Sequence, residues 1–171
     1  FFFGTLVFDI IMAKLQGLEV VLESTQSGSK AEQPFTDTIQ TTLTFKENDE
    51  VEVSFEYTND TWPELDGELN FVAKYEVKND SGVLMVTCLE MFAEVAELEY
   101  PELFIPWCRV WVMAVTGDPK AKENWSLVSG PDKSYYAKQD AGFDTCHNLS
   151  KMVIAHVGEA DADDDDDDEE E

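Results

Sequence analysis

Apolar and polar side chains alternate with period two through most of the chain, a pattern that predicts one strand after another. Gly17–Glu23 sets Leu18, Val20 and Leu22 on one face, with Glu19 and Glu23 on the other. Thr25–Phe35, rich in Ser, Gly and Gln and holding Pro34, reads as a loop. Thr38–Phe45 then aligns Ile39, Thr41, Leu43 and Phe45. Val51–Tyr57 aligns Val51, Val53, Phe55 and Tyr57 against Glu52, Ser54 and Glu56. With Lys46-Glu-Asn-Asp-Glu50 turning the chain between them, the pair predicts a hairpin with one wet face.

Thr58–Gly67 reads as a loop, and Glu68–Val77 alternates again. Lys78-Asn-Asp-Ser-Gly82 is a turn by composition, because Asn, Asp and Gly tolerate positive φ. Val83–Phe92 is apolar on both faces and predicts a central strand; Ala93–Leu103 predicts a short helix closed by Pro101. Phe104–Val115 is the most apolar stretch, and its aromatic and β-branched content favours a strand. Trp125–Val128 and Lys151–Val157 are shorter strands, separated by the loop-like Ser129–Ser150. No βαβ alternation and no internal repeat occurs. The fold class expected is mainly β: an antiparallel sandwich or barrel of seven or eight strands with one or two short helices.

Composition bounds the picture further. With 171 residues, 43% hydrophobic and 12% aromatic, the chain can bury a real core, which makes residues 1–158 a single β-rich domain. No apolar run approaches the roughly 20 residues of a membrane-spanning helix. Phe1-Phe-Phe-Gly-Thr-Leu-Val-Phe8 is a short apolar run open to three readings: a first strand, the remnant of a signal peptide, or an artefact if Met12 is the true start.

Charge changes the picture most. There are 37 acidic residues against 11 basic ones, a net charge of −26. Binders of DNA or RNA, and domains held on anionic lipid by charge, need clustered Lys and Arg, so both classes are excluded as first readings. Residues 159–171 hold 11 of the acids and no apolar side chain larger than Ala, which predicts a disordered polyacidic tail. Its Asp163, Asp164, Asp165, Asp166, Asp167, Asp168, Glu169, Glu170 and Glu171 are the candidate partner-binding residues. The body alone is still near −15.

Candidate chemistry is thin. His147, His156, Cys88, Cys108 and Cys146 lack the two-to-four-residue pairing of a zinc site, and no phosphate loop or nucleophile elbow is present. Alternation puts His156 on the face of Met152 and Ile154, half-buried, and Cys88 on a core strand as an inert thiol. No catalytic residue and no cofactor is expected. Asp60, Glu64, Asp66 and Glu68 group oxygen donors on one loop and are weak candidates for calcium, without the spacing of an EF-hand. Trp62 and Trp125, beside loops, are the better candidates for a sugar-stacking platform, and Trp107 and Trp111 read as core. Four N-glycosylation acceptors, Asn59, Asn79, Asn124 and Asn148, fall at expected turns or loops, where chance predicts about one.

Tyr100-Pro-Glu-Leu-Phe-Ile-Pro-Trp-Cys-Arg109 resembles the Pro-x-Ile-Leu-Phe-Pro-Tyr-x-Arg stretch of SecB-type export chaperones, which are acidic, non-enzymatic and built on antiparallel sheets. The likeness covers ten residues and departs at Val110–Val115, where that family has an amphipathic helix. An acidic β-body with a polyacidic tail is also similar in layout to nucleoplasmin-like histone chaperones.

The function expected is that of a non-enzymatic, chaperone-like acidic protein engaging a basic or aggregation-prone protein through its surface and tail. That reading implies nucleus or cytoplasm, no direct nucleic-acid contact and no membrane insertion. The alternative is a secreted or lumenal glycoprotein with loose calcium or mineral association, resting on the sequons. A carboxylate-based hydrolase is a distant third.

Overall fold

The computed structural model describes residues 14–63, 66–89, 111–129, 143–149 and 152–161. Alternation is expressed as nine strands: β1 (Leu18–Lys30), β2 (Gln33–Phe45), β3 (Glu50–Asn59), β4 (Gly67–Asp80), β5 (Val83–Leu89), β6 (Trp111–Val115), β7 (Trp125–Ser129), β8 (Phe143–Leu149) and β9 (Val153–Glu159). Every pairing is antiparallel. From β1 to β7 each strand pairs with the next, and the chain then returns to β1. There β8 lies along Gln26–Lys30 and β9 along Leu18–Glu23, as two halves of one broken final strand. The result is a nearly closed, barrel-like antiparallel sheet, as the patterning predicts.

Register explains the core. Val20, Leu43, Val53 and Phe71 stand opposite one another across β1 to β4, and so do Leu22, Thr41, Phe55 and Leu69. Opposite residues in an antiparallel ladder point to one face, so these rows converge inside the barrel. Phe45, Val51, Val86, Trp111, Met113 and Val115 are fully buried there. Burying each such side chain contributes about 1.5–3 kcal/mol, largely offset by the entropy of ordering the chain.

Three turns hold the meander together, and their backbone is distinctive. The two central residues of each have positive φ: Ala31 and Glu32 at 50° and 63°, Asn48 and Asp49 at 58° and 60°, Ser81 and Gly82 at 53° and 90°. Type I′ turns need this, since their twist matches that of the strands they join. Asn, Asp and Gly accept it at little cost, and Asn79 helps by accepting the Gly82 N–H at 3.0 Å. Ala31-Glu32 has no such chemistry, and each left-handed residue costs roughly 1 kcal/mol. Ala31→Asn combined with Glu32→Gly should therefore stabilise the protein by about 1 kcal/mol, read as a higher urea midpoint at unchanged slope.

That turn also corrects one expectation. Thr25–Phe35 is not a loop; β1 continues to Lys30 and β2 begins at Gln33. Gln26–Lys30 is laddered on both sides, to β2 and to β8, and pairing outweighs the low strand propensity of Ser and Gly. Likewise Ser129–Ser150, expected as loop, contains β8. Of the Phe104–Val115 strand, Trp111–Val115 is confirmed and the rest lies outside the described residues, as do the Ala93–Leu103 helix, the SecB-like stretch and residues 1–11. A 3-10 turn at Lys122–Asn124 was not foreseen.

His156 is a further correction. Val21 pairs with His156 but Leu22 with Ile154, so Ala155 is an extra residue in β9. This bulge inverts the alternation. Met152 and Val157 are buried on either side of it, and His156 is exposed, its ring resting against Gly158, where an added Cβ would lie 2.7 Å from Nε2.

Candidate functional site

The outward positions of β1 to β4 form an acidic face. Glu23, Gln40, Glu56 and Glu68 make one row across the four strands, and Glu19, Thr44, Glu52 and Val72 another. Between them Val21, Thr42, Ser54 and Asn70 form an uncharged row. Glu56 and Glu68 are direct cross-strand neighbours, an arrangement that costs stability because like charges face each other. Three lysines of this sheet pair with other carboxylates: Lys46 with Glu52 of the second row at 3.1 Å, Lys74 with Glu50 at 2.9 Å, Lys78 with Glu76 at 3.1 Å. Among the described residues, Glu23, Glu56 and Glu68 have no cationic partner, and Glu68 accepts only from Asn70 Nδ2 at 2.6 Å. A shallow groove of about 410 Å³ lies beside them, lined by Thr42, Thr44, Glu52, Ser54, Asn70 and Val72. Such a face attracts cations and cationic chains.

The loop after β3 is a hydrogen-bonded knot. Asn59 is buried, and its Nδ2 donates to the fully buried Asp37 at 2.5 Å while its Oδ1 accepts from Thr61 N–H at 3.0 Å and Trp62 N–H at 2.6 Å. Asp66 accepts the Asn59 N–H at 2.7 Å. Asp60 accepts from Thr36 N–H and the Thr61 hydroxyl, and these bonds, the first most, hold its carboxyl below the usual carboxylate range. Of the four calcium candidates, Asp60 and Asp66 thus stitch the loop, Glu68 lies on the sheet face and Glu64 is outside the described residues. No group of three or more His, Cys, Asp or Glu converges as a metal set among the described residues.

The sequons separate in the fold. The Asn59 amide nitrogen is spent on Asp37, so a glycan there would break the knot. Asn124 Nδ2 donates to Asp118 O at 3.0 Å and lies against Gly117, where an added Cβ would stand 3.2 Å from it. Asn79 is exposed at the β4–β5 turn, and the backbone of Asn148 lies in β8. Among the tryptophans, Trp111 is core as expected. Trp125 is core too, contrary to the platform reading: it is buried and its indole N–H donates to Pro119 O at 2.7 Å. Trp62 is half-buried with the Lys30 ammonium 5.0 Å from its ring centroid, so one stacking face is covered.

Cys88 is buried, and burial pushes its thiol up to about 12, the behaviour of an inert core thiol. Tyr75 is pushed up to about 12 by burial first, then by the Asp49 charge and the neighbouring Cys88. Cys146 and His147 are consecutive in β8, and Cys108 lies outside the described residues.

At one end of the sheet Gly17, just before β1, meets Ala160, just after β9. Gly17 N–H donates to Phe45 O and Ala160 N–H to Gly17 O, so the first residues of the acidic segment belong to the sheet rather than to a tail. Asp163 to Glu171 lie outside the described residues. Lys120 bonds Glu159 at 2.6 Å. That bond, then the mutual charge, raises the Lys120 pKa and lowers that of Glu159. The bond is lost only as pH falls through the depressed Glu159 value or rises through the raised Lys120 value, so it holds across the neutral range. No helix among the described residues is long and apolar enough to cross a membrane. No family model matches this chain, and no curated protein and no solved structure was found to match it.

Proposed function

We propose that the protein is a non-enzymatic acidic binding protein, chaperone-like in action, that engages a basic or aggregation-prone protein through the β1–β4 face and the Asp163–Glu171 segment. The observation that carries this reading is the Glu23–Gln40–Glu56–Glu68 row. Two of its carboxylates, Glu56 and Glu68, stand directly opposite each other, and none of the three pairs with a lysine among the described residues, although Lys74 and Lys78 are engaged on the same sheet. A sheet that tolerates like charges directly opposite each other gives up some stability for a negative surface. The polyacidic segment extends that potential and speeds encounter with cationic chains.

The test is a pull-down of the full chain, and of a chain lacking residues 162–171, against core histones and a panel of basic and unfolded proteins. Capture by the full chain should persist near physiological salt, where the Debye length is about 8 Å, and should fall by about tenfold or more on truncation. Absence of capture by either chain would overturn the reading. The glycoprotein alternative would then lead, supported by the exposed acceptor Asn79, and deglycosylation of native material would decide it.

A further inference from the structure

Two hydroxyls stand inside the barrel among apolar side chains. Thr41 is fully buried, and Ser24 is 4% exposed. Neither Thr41 Oγ1 nor Ser24 Oγ has a hydrogen-bond partner among the described residues. The residues flanking them in the ladder are core: Leu22, Ile39, Leu43 and Phe55, each buried. A buried hydroxyl with no bond is costly, so native interiors keep few of them.

Register brings the two together. Ser24 pairs with Ile39 and Thr41 with Leu22, so Ser24 and Thr41 are diagonal neighbours on the inner face. Diagonal neighbours stand roughly 7 Å apart, too far for one hydroxyl to reach the other at about 2.8 Å. A single small molecule bonded to both spans that distance. Small side chains leave it room: Ser24 and Thr41 themselves, and Gly67, which ends the row that Ser24 and Ile39 begin. The returning strand also breaks at this level. β9 keeps register with β1 up to Glu23 and β8 from Gln26 onward, which places Ser24 opposite the break. Met152, directly before β9, is buried in the core there.

We infer that Ser24 Oγ and Thr41 Oγ1 form the binding site of one ordered water molecule, sealed inside the barrel. A site lined only by apolar groups stays dry, whereas an interior water needs two to four polar partners. Two hydroxyls supply that minimum, since each can donate or accept. The water ties the side chains of β1 and β2 together at the level where the outer support of β1 passes from β9 to β8. The inference is independent of the acidic-binder reading, because the site faces the core and not the Glu23–Gln40–Glu56–Glu68 row.

The test is oxygen-17 magnetic relaxation dispersion of solvent water over the full chain, which counts waters held longer than the protein tumbles and does not register hydroxyl groups. Ser24→Ala combined with Thr41→Val should lower the dispersion amplitude by the equivalent of about one molecule. Thermal midpoints give an independent reading. Each single change leaves the water one bond short and should lower the midpoint by about 3–6 °C. The pair removes both partners and should return it to within about 2 °C of the parent. An unchanged amplitude would overturn the proposal. So would a midpoint raised by either single change, the response of a hydroxyl with no bond to lose. Losses that simply add in the pair would overturn it too, since they deny a shared ligand. Ser24→Ala deletes a single oxygen, so it carries the amplitude comparison alone if the pair does not fold.

Discussion

Phe45→Ala should cost about 3–5 kcal/mol, roughly a fifth or more of the whole stability expected for a folded domain. Phe45 is fully buried at the end of β2, where the barrel is closed. Its ring meets Tyr75 edge to face, with centroids 4.9 Å apart at 77°, and lies 6.1 Å from Trp125. Alanine removes the ring and leaves a cavity walled by these two aromatics, which are themselves anchored in β4 and by the Trp125–Pro119 bond and so cannot collapse inward. Thermal unfolding should show the midpoint lowered by about 10 °C. Val72→Ala, at a position 48% exposed, should change stability by no more than about 0.5 kcal/mol. Equal effects of the two changes would show that the barrel end is not the core it is taken to be.

Asn59→Ala should cost about 2–4 kcal/mol by a different route. The substitution creates little cavity. It strips one donor from buried Asp37 and one acceptor from two backbone N–H groups, those of Thr61 and Trp62. Asn59→Asp sharpens the test. It keeps the acceptor for both amides but sets a carboxylate against Asp37, and two such groups in contact share one proton. The shared group has a folded pKa above the unfolded carboxylate value. The penalty is therefore smallest below that unfolded value and grows as pH rises through the folded one. Urea unfolding of this variant between pH 4 and 8 should show stability falling with pH more steeply than in the parent. A parallel pair of curves would mean that Asn59 does not face Asp37.

The two sites of failure show where sequence reading stops. Val51–Tyr57 and Thr38–Phe45 were legible because each has one apolar and one polar face, and because Asn48-Asp49 supplies the residues a type I′ turn needs. Gln26–Lys30 was not. Its strand character comes from β2 and β8 on either side, the second of which lies more than a hundred residues away in sequence, and its turn is made by Ala31-Glu32, which carries no turn signature. His156 was misplaced by one inserted residue, since the period-two rule has no means of announcing a bulge. The acidic face was half visible: Glu52 and Glu56 were recognised as outward, but the alignment of Glu23, Glu56 and Glu68 into one row depends on register across three turns. The knot around Asn59 was read as a glycan acceptor and loose calcium loop, because sequence shows the oxygen donors and not the backbone amides they serve.

The broken final strand has a consequence for how the protein is made. β1 leaves the ribosome before its neighbours, and β2 follows within a few residues, so one of its edges is covered at once. The other edge waits for β8 and β9. At typical synthesis speeds of 5–20 residues per second, the stretch separating Lys30 from Phe143 takes roughly 6–22 s to emerge. For that interval the nascent chain displays an open strand template, and closing the longest loop in the fold is its last and slowest event. Moving residues 143–161 ahead of residue 14 through a short linker would turn that late, distant pairing into a local hairpin made at the start of synthesis.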